Sequence, residues 1–265
     1  MQPQREAIQM PTKVKLTALY HITWSDQYGI CCLYFWGCNL RCQICLLKKE
    51  VLDCHLPETR LRLYDPSYAN PEPQQFLSFQ RILEILKPLP LKRVFLMGAE
   101  PLCEPLLPRI LEFLRKDKPC TVSLLTNGRI YPPVHLLDEV IFSIKAITPS
   151  LHRDYTGFTN RGILNNFKKL AGQSRIRLHA ETVFIPDYVD EAEVMKVASF
   201  IASVKNDIPL RIDAYFTVPG QPWRVPEVDE LERLAEKVRT ILPNTNCFHG
   251  KYGNEPLAYE VRRIF

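Results

Sequence analysis

The chain has 265 residues, of which 46% are hydrophobic and 24% charged, with a formal net charge of +5. This is the make-up of one soluble globular domain, spanning 1–265 with a core over about 20–242 and a C-terminal extension over 243–265. A membrane span is excluded by the lack of any apolar run near ~18 residues, and no basic run is dense enough for nucleic acid.

Residues 1–15 are polar with no apolar core, so no signal peptide is expected. Nine cysteines without such a signal point to a reducing, cytoplasmic compartment and to metal or redox use. The first strand is expected over 28–35, followed by the run Trp36-Gly37-Cys38-Asn39-Leu40-Arg41-Cys42-Gln43-Ile44-Cys45. Residues 51–75, rich in proline and polar side chains, make a long excursion before a helix over 76–86. Strands then alternate with helices. Strands are expected over 92–97, 121–125, 139–145, 175–185 and 210–216. Helices are expected over 102–116, 162–171, 190–205 and 228–242, with a short helical piece over 133–138. Six βα units imply an α/β fold with a parallel sheet. Six is two short of a closed TIM barrel, so an open partial barrel, (β/α)6, is expected.

The three cysteines Cys38, Cys42 and Cys45 are spaced C-x3-C-x2-C, and no second run of matching spacing follows. A cubane cluster takes one thiolate per iron, so three local thiolates leave a fourth iron open to chelate a small molecule and pass it an electron. A structural zinc site would need a fourth ligand, for which Cys54 or His55 is at hand, but no paired second knuckle is present. Unligated core thiols are the third reading. Cys31, Cys32, Cys103, Cys120 and Cys247 read as buried thiols.

The cysteine run resembles the cluster motif of the radical S-adenosylmethionine (SAM) enzymes. Within that superfamily the chain is similar to the activating enzymes of glycyl-radical enzymes. The resemblance implies a [4Fe-4S] cluster on Cys38, Cys42 and Cys45, with SAM chelated at the open iron through its amino and carboxylate groups. Reduction then splits the sulfonium to a 5′-deoxyadenosyl radical that abstracts hydrogen. It also implies a glycine of a partner glycyl-radical enzyme as substrate. The net charge of +5 either favours an acidic redox partner, a flavodoxin or ferredoxin as electron donor, or serves solubility alone.

Active groups of such a sheet sit where the strands end. Gly98-Ala99-Glu100-Pro101 resembles the family's Gly-Gly-Glu motif, in which backbone and carboxylate bind the methionyl amino group; its plain reading is a helix start. In Thr126-Asn127-Gly128, similar to the family's Asp-Thr-Asn-Gly, Leu125 stands in the aspartate's place; the plain reading is a turn. Ser143-Ile144-Lys145 resembles Asp-x-Lys, and Lys145 is placed to pair with the cofactor carboxylate. With both aspartates replaced, the family's monovalent-cation site is expected to be missing.

The stretch His152-Arg153-Asp154-Tyr155-Thr156-Gly157-Phe158-Thr159-Asn160 is similar to the activases' loop before a helix, with Asn160 as a cap. Glu181 falls where the activases carry an arginine; it either binds ribose hydroxyls or lines the barrel, paired with Arg177 or His179. Asp213 and Tyr215 are expected to face the mouth. Residues 26–31 keep only part of the activases' Gly-rich segment, and Leu46-Leu47 replaces their His-Asn. A radical enzyme acting on a small molecule, such as a 7-carboxy-7-deazaguanine synthase-like ring contraction, or on another peptide residue therefore stays open. So does a non-catalytic, metal-stapled or redox-sensing barrel.

Overall fold

The computed structural model describes residues 15–48, 56, 72–249 and 261–265; Cys54, His55 and most of the 51–75 excursion lie outside them. Nine strands form one sheet: β1 (Leu19–Ser25), β2 (Ile30–Phe35), β3 (Arg93–Gly98), β4 (Thr121–Thr126), β5 (Glu139–Ser143), β6 (Arg177–Phe184), β7 (Leu210–Ala214), β8 (Thr245–Phe248) and β9 (Arg262–Arg263). Their order is β8-β7-β6-β5-β4-β3-β2-β1-β9. From β2 to β8 each strand pairs in parallel with the next. At the other edge β1 runs antiparallel to β2, and β9 antiparallel to β1.

The expected open parallel α/β barrel is thus present, enlarged at both edges. Strand β1 escapes sequence reading because all seven of its residues are buried, which erases the alternation that marks a half-buried strand. It makes a hairpin with β2, so Tyr28 and Gly29 belong to the turn rather than to the first strand.

Six α-helices are described: α1 (Phe79–Leu86), α2 (Leu107–Asp117), α3 (Pro149–Thr156), α4 (Arg161–Ala171), α5 (Glu191–Val204) and α6 (Val228–Arg239). Side-chain caps set several starts. Ser78 accepts from the Arg81 amide at 3.2 Å, Asp190 from the Glu193 amide at 2.9 Å, and Glu227 and Glu230 form a capping box. The helix expected over 102–116 is broken into a short 3-10 turn, Pro101–Cys103, and α2, with Pro105 and Pro108 at the junction. Helix α3 occupies what reads in sequence as a loop; it opens on Pro149 and stops at Gly157, whose φ is 79°.

The helices cover one face of the sheet. Leu178, Ala180 and Phe184 of β6, and Leu210, Ile212 and Ala214 of β7, are buried in one core with Val194, Val197, Ala198 and Ile201 of α5. Leu231, Leu234 and Val238 of α6 join them. Burying each such aliphatic side chain contributes ~1.5–3 kcal/mol. The alternate strand residues point to the uncovered, concave face, where charge collects in two tiers.

The lower tier lies at the strand starts. Glu139 accepts from Arg93 at 2.8 Å and from the Ser123 hydroxyl at 2.6 Å, with His179 at 3.1 Å and Arg177 at 3.8 Å. These contacts hold Glu139 far below its ordinary value, at about 2, the His179 hydrogen bond contributing most. In the upper tier Glu181 accepts from Arg211 at 2.9 Å and from the Ser143 hydroxyl, and Arg211 also binds Asp213 at 2.6 Å.

Candidate functional site

The cysteine run leaves the end of β2 and is shaped by what lies between the cysteines. Leu40 and Ile44, four residues apart, are each only 6% exposed and pin the loop to the core. Cys38 is left exposed and Cys45 half-buried, while Cys42 is half-buried against that same core. The backbone of the run is tied on several sides. Trp36 donates to Ala18 at 2.8 Å, and Gly37 accepts from Glu100 at 3.1 Å. Arg41 and Gln43 donate to Thr156 and Tyr155, the last residues of α3, at 2.9 and 3.0 Å. The Gln43 side chain adds a 2.7 Å bond to the Asp154 carbonyl. The His152–Asn160 stretch is therefore the seat of the cysteine loop.

Glu100 is fully buried at the end of β3. Its carboxylate accepts from the Leu102 amide at 3.2 Å, the Thr126 hydroxyl at 2.9 Å and the Asn127 amide at 2.8 Å. Burial pushes its pKa up, and those three donors oppose the shift. Gly98 has φ 101°, and a Cβ there would fall 2.6 Å from the Phe35 carbonyl oxygen. That close approach to the neighbouring strand is what requires glycine at this position.

The Thr126-Asn127-Gly128 turn closes on the cysteine loop. Asn127 Nδ2 donates to Asn39 Oδ1 at 2.8 Å and to Cys38 Sγ at 3.5 Å, while its Oδ1 accepts from the Arg129 amide at 2.9 Å. Arg129 also donates to the Asn39 carbonyl and lies 3.7 Å over the Phe158 ring. Lys145, half-buried two residues beyond β5, makes no hydrogen bond or ion pair among the described residues. Its charge reaches Cys42, Glu100 and Asp213.

Burial raises the thiols of Cys38 and Cys42; the Leu40 and Asn127 donors oppose it at Cys38, and Lys145 opposes it at Cys42, which reaches about 11. Cys38 is exposed at its edge, yet its sulfur is desolvated where it meets Leu40 and Asn127. Among the described residues no three His, Cys, Asp or Glu side chains could close on one metal ion. A zinc ion draws its thiolates in to ~2.3 Å around one point, whereas a cubane spreads them over separate irons. An all-thiol donor set on one loop, beside an uncommitted ammonium, fits the cubane.

Several expectations are corrected. Glu181 lines the concave face but pairs with Arg211 and Ser143, because Glu139 has taken Arg177 and His179. Tyr215 is 1% exposed and accepts from the Val218 amide at 3.1 Å, so it belongs to the core and not the mouth. Asp213 does face the concavity, and burial lifts its carboxyl above the usual range against the pull of Arg211.

Asn160 makes no cap bond; its amide donates to the carbonyls of Ala146 and Ile147 at 3.1 and 2.7 Å, bracing the loop after Lys145. Cys31 and Cys120 are buried, but Cys32, Cys103 and Cys247 are only half-buried. Sequence reasoning missed Asn39, Arg129 and Glu193. Glu193 binds the Ile147 and Thr148 amides at 2.6 and 2.7 Å, starting α3. Its spacing from Asp190 reads locally as a capping pair and hides that longer reach. A charged side chain straight after an Asn-Gly turn was the one signal for Arg129.

The radical SAM superfamily model matches residues 34–200, more than half of the chain. A Methanocaldococcus jannaschii protein with the provisional name glycyl-radical enzyme activating enzyme is 26% identical over 239 residues, covering 88% of this chain and 84% of that protein. Streptococcus suis SuiB, in a crystal structure bound to S-adenosylmethionine, superposes with a TM-score of 0.58 at 18% identity. That likeness covers 80% of this chain, which spans about half of SuiB (48%). A radical SAM methyltransferase from Sphaerobacter thermophilus gives 0.55 at 14% identity, over 88% of this chain and 70% of that one. The two superpositions share the open, partial-barrel fold. The chain belongs to the radical SAM superfamily, whose cofactors are a [4Fe-4S] cluster and S-adenosylmethionine.

Proposed function

We propose that Cys38, Cys42 and Cys45 hold the cluster, that Lys145 and Glu100 receive the methionyl end of S-adenosylmethionine beside it, and that a glycine Cα of a partner enzyme loses hydrogen. The observation that carries the site is the half-buried, unpaired ammonium of Lys145, set within charge range of Cys42 and Glu100. When bound, the cluster and S-adenosylmethionine would supply one-electron reductive cleavage chemistry.

The chain's own part is binding and orientation. Lys145 is free to take a carboxylate, a charge-assisted contact worth ~1.5–3 kcal/mol. Glu100 spends three of its roughly four acceptor positions inside the protein, leaving one for an ammonium. Thr126 and Asn127 act through Glu100 and the cysteine loop. Glu181, bonded to Ser143 and Arg211 on the concave side, is assigned to the ribose. Exposed Arg41 and Arg129 beside the loop, with the net charge of +5, suit an acidic flavodoxin or ferredoxin as donor.

A glycine substrate is supported by the likeness to the M. jannaschii protein along most of both chains. A second reading, a small polar substrate, is favoured by the charged tier of Glu181, Arg211 and Asp213 facing the concavity. Anaerobic purification is expected to yield a brown protein that forms 5′-deoxyadenosine from S-adenosylmethionine once reduced. A colourless, zinc-loaded protein inert to the cofactor would defeat the assignment. A stable glycyl radical on a co-expressed partner, seen by EPR, supports the activase reading; turnover of an isolated metabolite supports the second.

A further inference from the structure

The side-chain amide of Asn127 has no freedom of orientation. Its Oδ1 accepts from the Arg129 amide at 2.9 Å, so its Nδ2 must face Asn39 and Cys38. A flipped amide would set oxygen against the Asn39 oxygen and the Cys38 sulfur. The main chain is held as firmly, with the Asn127 amide on buried Glu100 at 2.8 Å and the Gly128 carbonyl on Asn166 at 2.9 Å. Cys38 Sγ thus receives two donors, Asn127 Nδ2 at 3.5 Å and the Leu40 amide at 3.4 Å.

Hydrogen bonds to a cluster's sulfurs are among the levers that set its reduction potential. A donor stabilises the more negative, reduced state more than the oxidised one, so it raises the potential. We propose that Asn127 is a redox-positioning residue: through its N–H···S bond to Cys38 it makes the cluster easier to reduce, and it does not contact S-adenosylmethionine with its side chain. All the polar atoms of that side chain are already engaged by Cys38, Asn39 and Arg129. The inference rests on the cluster assignment made above and adds a role that the assignment does not require.

The test is an anaerobic EPR-monitored redox titration of the reconstituted protein without S-adenosylmethionine. Asn127→Leu removes the donor at similar size and is expected to shift the reduced-to-oxidised ratio at fixed potential about tenfold toward oxidised, about 59 mV for one electron. Asn166→Ala, which loosens the same turn without touching sulfur, is expected to leave the potential at the wild-type value. The unmutated protein supplies an independent measurement: with 15N-asparagine incorporated, pulsed EPR of the reduced cluster is expected to show a weak nitrogen coupling.

Loss of that coupling in Asn127→Leu together with the shift supports the proposal. If Asn127→Leu does not assemble a cluster, the coupling in the unmutated protein decides alone. Absence of the coupling, or a potential that moves equally in Asn166→Ala, overturns it. A wild-type chain that binds no cluster overturns both this inference and the reading beneath it.

Discussion

Lys145 and the three loop cysteines carry different parts of the chemistry, and substitution separates them. Changing Cys38, Cys42 or Cys45 to Ala removes an iron ligand and is expected to abolish 5′-deoxyadenosine formation, measured by chromatography of quenched reactions. Cys103→Ala is expected to retain it. Cys103 sits within charge range of Cys38 and Glu100 but lies outside the loop. Lys145→Met keeps the side chain's length and removes its charge. It is expected to raise the KM for S-adenosylmethionine about tenfold to a hundredfold, the equivalent of one charge-assisted contact, with kcat nearly unchanged. A fall in kcat alone would remove Lys145 from cofactor binding.

The individual residues differ in how well sequence exposes them. The cysteines announce themselves because thiolate spacing constrains ligand geometry directly. Glu100 and Asn127 can be singled out as strand-end residues, but not their bond to each other, since a contact across two strands leaves no local trace. Glu181 shows the same limit. Its partner is set by strand register, which brings Ser143 and Arg211 level with it and gives Arg177 to Glu139.

At the scale of elements, α3 is the device that seats the cysteine loop. Its first turn is held by Glu193 of α5, buried at 2% exposure and bonded to two amides and the Thr148 hydroxyl. Its last residues, Tyr155 and Thr156, hold Gln43 and Arg41. Glu193→Ala strips both amides of their acceptor and is expected to cost about 2–3 kcal/mol, read as a lower urea midpoint. Because the far end of α3 holds the loop, iron content after reconstitution is expected to fall as well. An unchanged iron-to-protein ratio would separate α3 from the loop. Sequence pattern recovers α4, α5 and α6 well because their buried residues recur at helical spacing. It misses β1, which has no polar face, and α3, whose Pro and Gly read as loop signals.

Across the whole molecule the concave face is fastened differently at its two ends. The lower tier depends on ionised Glu139. Its pKa is about 2 in the fold against an ordinary 4.5, so folding favours the charged form. The contribution, at most about 3 kcal/mol, is fully present above pH 4.5 and disappears as pH falls through about 2. The difference in urea midpoint between wild type and Glu139→Gln is therefore expected to be largest near neutrality and to shrink across that window. A difference independent of pH would mean that the tier acts through packing instead. The parallel sheet itself follows from the alternation of strand and helix patterns, while β8 and β9 at its edges are too short to stand out.

The high pKa of Cys42 has an outcome for the chain before it meets iron. A thiol at about 11 is almost wholly protonated at neutral pH, and a protonated thiol is a slow partner for alkylating agents and peroxide. Burial thus keeps the free thiol chemically quiet at that position, and a metal cation binding there would have to displace its proton.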